Sequence, residues 1–207
     1  MKIFNSDILI KKTSCNCADL PGHPIPPSVN LFVKVTKGCN AHCAFCSNVG
    51  CQSPTSLFDI EKMIRIIYEL KSKGIIVNRM NITGGEPSVV SPLVVRILDA
   101  IDKEHFDDVH LHLNTNGVTV QAQDLMQHPR WDSISMSLHH YDVNRLSDLY
   151  GCEIPAHLLH FTGVDKQKIN FSCNLIKGYI DNKEEVRKML DLTLDTGIRR
   201  IGFVALM

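Results

Sequence analysis

From about residue 30 onward, hydrophobic and polar positions along the chain fall into two alternating rhythms. Alternation at every second residue marks strands, and recurrence every three to four residues marks helices. Leu31–Thr36 (LFVKVT) is the first strand candidate and runs straight into a cysteine-rich loop. Ile60, Met63, Ile64, Ile67 and Leu70 then share one face of an amphipathic helix, and Gly74 stands where a helix end takes a left-handed residue. Ile75–Ile82 predicts the second strand, which leads into Thr83-Gly84-Gly85-Glu86-Pro87. Ser91 and Pro92 read as N-cap and first turn of a helix with Leu93, Val94, Ile97, Leu98 and Ile101 on one face.

The third strand, Val109–Leu113, ends at Asn114-Thr115-Asn116-Gly117. The fourth lies within Trp131–Leu138, where Ile134, Met136 and Leu138 alternate with Ser133, Ser135 and Ser137. Lys168–Leu175 is the fifth and Arg199–Leu206 the sixth. Between them, Asn182 and Glu185 form a capping-box-like start for a helix through Val186, Met189, Leu190 and Leu194 that stops at Gly197. Six strands alternating with helices imply an α/β fold with a parallel sheet, because parallel strands need crossover connections. Residues 1–29, with Pro21, Pro24, Pro26 and Pro27, read as an extended leader ahead of a core domain of residues 30–207. Residues 150–167 lack periodicity and read as loop with at most one short helix.

Composition narrows the classes of function. Of the 207 residues, 44% are apolar and 21% charged, as in an ordinary globular domain. Lys and Arg (22) balance Asp and Glu (22), so no global field recruits nucleic acid or an anionic membrane. The N-terminal MKIFNSDILIKK has too short an apolar stretch for a signal peptide, and no run approaches the roughly 20 apolar residues of a membrane span. The expected location is the cytoplasm, where thiols stay reduced and eight cysteines point to metal binding or catalysis before disulfides.

Cys39, Cys43 and Cys46 sit on the loop after the first strand, close enough in sequence to converge on one metal centre. A fully protein-ligated [4Fe–4S] cluster takes four cysteines, so three leave one iron open to another ligand. A structural zinc site completed by His42 or Cys51 is the competing arrangement. The paired glycines Gly84 and Gly85 let the backbone approach a ligand closely, and Glu86 could add a charge-assisted hydrogen bond; a plain strand-to-helix turn is the simpler alternative. In a parallel α/β sheet both segments follow strands and face the same mouth, where ligands bind.

Together these residues resemble the radical S-adenosylmethionine (SAM) superfamily, with CxxxCxxC after the first strand and GGE after the second. The resemblance covers roughly residues 30–207 and implies a partial (β/α)6 TIM-like barrel, open on one side. It implies that Cys39, Cys43 and Cys46 ligate three irons of a [4Fe–4S] cluster while SAM chelates the fourth. It further implies that Phe45 lies near the adenine, that Gly84, Gly85, Glu86 and the adjoining Pro87 contact the methionine end, that Ser137 (or Ser135) touches the ribose or carboxylate, and that Thr115 is a further cofactor-binding residue. Reductive cleavage of SAM would then give a 5′-deoxyadenosyl radical that takes hydrogen from a small-molecule or peptide substrate. An electron donor of flavodoxin or ferredoxin type would drive it, without nucleic acid or membrane partners.

Within the superfamily the pattern is similar to the GTP-cyclising enzymes of molybdenum-cofactor biosynthesis, through ITGGEP, Thr115-Asn116-Gly117, Met136-Ser137-Leu138 and the closing segment, where Met207 would approach the adenine. Two nucleotide-binding arginines of those enzymes are replaced here by Phe32 and Asn81, which argues against that activity. Ending at a sixth strand raises a further alternative, a truncated or non-catalytic domain, alongside a zinc- or iron-binding scaffold. His139-His140-Tyr141-Asp142 is a candidate substrate contact or simply a helix start with Asp142 as N-cap. Cys15 and Cys17 read as free thiols, Cys173 as a core residue, and Cys51 and Cys152 as candidate relay thiols; Arg199 and Arg200 read as solvated.

Overall fold

The computed structural model describes residues 2–3, 6–7, 26–46 and 58–205. Six strands form one parallel sheet in chain order: β1 (Ser28–Lys34), β2 (Ile76–Thr83), β3 (His110–Thr115), β4 (Ser133–Ser137), β5 (Ile169–Leu175) and β6 (Ile201–Ala205). Every neighbouring pair is parallel. Sequential order among parallel strands is the topology of a barrel wall, and six strands make a half-barrel open on one side.

The helices are α1 (Ile60–Ser72), α2 (Ser91–Lys103), α3 (Val120–Met126), α4 (Val143–Tyr150) and α5 (Lys183–Asp195). Met63, Ile67, Val94, Ile97 and Ile101 pack with Met80, Ile82, Leu111 and Leu113 in one buried core. Burying each such side chain contributes roughly 1.5–3 kcal/mol. No helix among the described residues is long and apolar enough to cross a membrane.

On β3, β4 and β5 the opposite, inner face of the sheet is polar. His110, His112 and Asn114 alternate with buried Leu111 and Leu113, and Ser133, Ser135 and Ser137 with buried Ile134 and Met136. A closed barrel fills this space with branched apolar side chains; here the inner wall is hydrogen-bonding surface.

One irregularity sets the pattern on β2. The β1–β2 register slips so that Val29 pairs with Val77 but Asn30 pairs with Arg79. The extra residue, Asn78, reverses the alternation. Val77, Met80 and Ile82 therefore all pack into the core, while Arg79 and Asn81 share the inner face.

Several sequence expectations are corrected. The first strand starts at Ser28, not Leu31, because Pro27 has no N–H and offers its carbonyl to Ile76 N–H (2.9 Å), a natural strand opening. The leader boundary at residue 29 thus falls inside β1, and within the leader Lys2–Ile3 pairs antiparallel with Ser6–Asp7. Ser91 is the first residue of α2 rather than its cap; a 3-10 turn, Pro87–Val90, precedes it and Val90 occupies the cap position. The short helices α3 and α4, capped by Thr119 and Asp142, span too few turns for periodicity to reveal. Residues 150–167 hold two 3-10 turns, Ala156–Leu159 and Lys166–Lys168. Gly74 (φ 69°) and Gly197 (φ 78°) do end their helices in the left-handed region.

Candidate active site

The loops that leave β1, β2 and β3 are joined into one unit at the C-terminal ends of the strands. Gly85 N–H donates to Thr36 O (2.9 Å) and Glu86 N–H to Gly38 O (2.8 Å), so the glycine turn pairs with the backbone that leads into Cys39. A methyl group on Gly84 would lie 2.6 Å from Thr36 O, and one on Gly85 would lie 2.0 Å from Gly38 O. These glycines admit the cysteine loop itself.

Glu86 ties this pair to the third loop. Its carboxylate is 1% exposed. Oε1 accepts from Thr115 Oγ1 (2.7 Å) and Ser88 N–H (3.0 Å), and Oε2 accepts from Asn116 N–H (2.7 Å). Burial pushes the carboxyl pKa up, and the Asn116, Ser88 and Thr115 donors pull it back. Asn116 Nδ2 in turn donates to Asn40 Oδ1 (2.9 Å) and lies 3.9 Å from Cys39 Sγ. The side chains of Glu86 and Thr115 are thus engaged with each other, and Pro87 is buried at the start of the 3-10 turn.

The three thiols of the cysteine loop are half-buried. Burial pushes Cys43 up to about 12, reinforced by Cys39 and Cys46 and last by Cys152. Burial also raises Cys39, whose Sγ accepts from Ala41 N–H (3.4 Å). Cys39 and Cys43, desolvated and set beside each other and Cys46, become thiolates together only beside concentrated positive charge. That donor set fits a thiolate-ligated metal cluster. No three His, Cys, Asp or Glu side chains among the described residues close round a point as a single metal ion would require.

A second wall supports the loop from the β4 side. His42 N–H donates to Tyr150 O (2.6 Å), and the buried Tyr150 hydroxyl donates to Ser137 O (2.7 Å). His139 packs edge-on to Phe45 (5.0 Å between ring centres) and to Tyr150 (5.7 Å). Its Nδ1 accepts from Asn174 N–H (3.1 Å), and burial lowers its pKa to about 4, so the ring is neutral. Tyr150 and the supporting role of His139 have no motif in the sequence and emerge only when α4 folds back on the loop; Asn116 lies within the Thr115-Asn116-Gly117 match, but its tie to Asn40 is visible only in the fold.

Ser137 ends β4 on the inner face, as its alternation predicts. His140 and Tyr141 line a cavity of about 360 Å³ with Arg145, Tyr179 and Glu185. Asp142 caps α4 by accepting from Arg145 N–H (3.0 Å), which is the helix-start role. Cys173 is fully buried in the core, its thiol pushed up to about 12 by burial. Arg200 donates to Gln167 O. Phe32 is 75% exposed, and Asn81 donates to Leu31 O (3.3 Å). Met207, Cys15, Cys17 and Cys51 lie outside the described residues.

Comparison with known proteins agrees with this construction. A protein of Archaeoglobus fulgidus named Probable GTP 3′,8-cyclase is 32% identical over 100 residues, 47% of this chain and 31% of that protein. The chain thus spans about a third of the length of that relative. The crystal structure of Streptococcus suis SuiB bound to precursor peptide SuiA superposes with a TM-score of 0.66 at 18% identity, covering 86% of this chain and 39% of that one. Native anSMEcpe with bound AdoMet and Kp18Cys peptide gives 0.63 at 16% identity, covering 87% and 52%. At these identities the structures speak for the fold alone. The description Radical SAM superfamily matches residues 33–193, from within β1 to within α5 and across all three joined loops; on that match, the chain belongs to the radical SAM superfamily.

Proposed function

We propose that the chain is the barrel core of a radical SAM enzyme, with Cys39, Cys43 and Cys46 holding three irons of a [4Fe–4S] cluster whose fourth iron is open to SAM. The observation that carries this reading is the single hydrogen-bonded unit made by the cysteine loop, the Gly84–Pro87 turn and the Thr115–Gly117 loop. When bound, the cluster and SAM would supply reductive radical chemistry able to remove a hydrogen atom from substrate. The chain's own residues bind and orient. Gly84 and Gly85 offer backbone to the methionine end, and Glu86, Thr115 and Pro87 brace that turn. Phe45 offers an apolar ring to the adenine and Ser137 a hydroxyl to the ribose or carboxylate. Met207 would add a second adenine contact. In this reading the core domain begins with β1 at Ser28 and draws its electron from a flavodoxin- or ferredoxin-type donor.

For the substrate, a peptide or small molecule on the polar inner face is the favoured class, supported by the peptides that two proteins of like fold, SuiB and anSMEcpe, hold. GTP cyclisation is a second reading, favoured by the Archaeoglobus relative. Phe32 and Asn81 stand against it, since neither offers the charged fork with which arginine grips phosphate. Anaerobic reconstitution tests the proposal. It predicts about four iron and four sulfide per chain and a reduced-cluster electron paramagnetic resonance spectrum that changes when SAM is added. Stoichiometric zinc uptake without iron would overturn it.

A further inference from the structure

We propose that the inner face of the half-barrel carries an oxyanion subsite, built from Arg79, His110 and His112, that grips a carboxylate or phosphate of the substrate. The proposal rests on reading that face as the substrate side of the site above, and it names a chemical feature the substrate must have. Three independent observations converge on it.

The first is the bulge at Asn78. Without it, strict alternation from buried Val77 would send Arg79 into the core; the extra residue turns Arg79 onto the inner wall. There it pairs in register with His110, and Asn81 pairs with His112.

The second is a locked donor array. Ser133 Oγ lies 2.8 Å from His110 Nε2 and 2.7 Å from His112 Nδ1. One hydroxyl has one proton, so at least one of these ring nitrogens must itself donate to the oxygen, and both rings are held in place. His112 is held to a pKa of about 4 by burial first, then by Arg79 and His110. These groups share one small region, and a bound anion there would relieve the burden of positive charge.

The third is charge. The chain as a whole is balanced, 22 basic against 22 acidic residues. Among the described strands, the inner-face positions carry Lys34 and Arg79 and no Asp or Glu. Arg79 has no carboxylate partner among the described residues. Two carboxylates at the ends of these strands are engaged elsewhere: Asp132 accepts from Leu111 N–H and pairs with Arg130, and Glu86, just past β2, is buried among its own donors. A guanidinium with five N–H donors in a planar fork matches a carboxylate or phosphate. Arg79 stands five residues before Gly84, about 16 Å along the strand. Once the reach of the side chain is allowed for, the anionic group and the reacting end of the substrate are on the order of 10 Å apart.

The test is to titrate inorganic phosphate, and separately acetate, into the anaerobically prepared 207-residue chain at fixed ionic strength. Calorimetry and the imidazole proton resonances of His110 and His112 are followed. Saturable binding of at least one anion is expected, with an upward movement of the His112 titration. Arg79→Gln should weaken it at least tenfold and Arg79→Lys less. Preference for phosphate or acetate identifies the group the substrate carries. If Arg79→Gln does not fold, His112→Gln, which keeps a polar ring substitute beside Ser133, should weaken binding and abolish the titration signal. No saturation by either anion at tens of millimolar, or equal affinity in the folded variants, overturns the subsite. The titration needs neither cluster nor SAM, so its outcome is separable from the reconstitution test: anion binding in a chain that fails to cleave SAM once reconstituted would keep the anion site but not its substrate role, and SAM cleavage without anion binding would overturn the subsite alone.

Discussion

At Gly85 one added methyl group would sit 2.0 Å from Gly38 O, a backbone atom that cannot swing aside. Gly85→Ala should therefore cost about 3 kcal/mol and loosen the cysteine loop. At Gly74 nothing lies within 4 Å of the added carbon, and only the left-handed backbone (φ 69°) resists, so Gly74→Ala should cost about 1 kcal/mol. Urea midpoints of the two variants check the contrast. His139 gives a pH signature. Its folded pKa of about 4 lies below the ordinary 6.5, so between those values the unfolded chain binds more protons. Stability should fall as pH drops from 6.5 towards 4. In His139→Gln, which keeps an acceptor for Asn174 N–H, the decline should be shallower in denaturation curves at pH 7 and 4.5. At this scale the cysteines and glycines were legible because few residue types can do their chemistry. Tyr150 was not, since a tyrosine supports a loop only through where the fold puts it.

At the scale of elements, the strands and the long helices followed from hydrophobic rhythm, while α3, α4 and the Asn78 bulge did not. A bulge is one extra residue, and β2 reads as a plausible strand with or without it. Only the register with β1 and β3 shows that Arg79 faces inward. The resemblance sets Glu86 at the methionine end of the cofactor; in the fold its carboxylate also accepts from Thr115, Asn116 and Ser88, and so fastens the β2 and β3 loops together. Glu86→Ala would orphan buried donors at about 1–3 kcal/mol each. It should lower the unfolding midpoint and reduce iron retention after desalting, whereas Glu86→Gln, which keeps one acceptor oxygen, should be milder in both.

For the whole molecule, an ordered parallel half-barrel places three loops at one mouth and a polar wall below it. Cys152 lies near enough to raise the Cys43 pKa, which raises the question of a fourth cysteine ligand that would close the cluster to SAM. The open-site account predicts that Cys152→Ser retains iron content and the spectral response to SAM, while Cys43→Ser loses both. The most direct measurement is the yield of 5′-deoxyadenosine when the reconstituted, reduced chain is given SAM without oxygen. The account predicts that the product forms with the native chain and is absent when Cys39, Cys43 and Cys46 are replaced by alanine. Intact SAM after incubation with a fully cluster-loaded, reduced chain would contradict it.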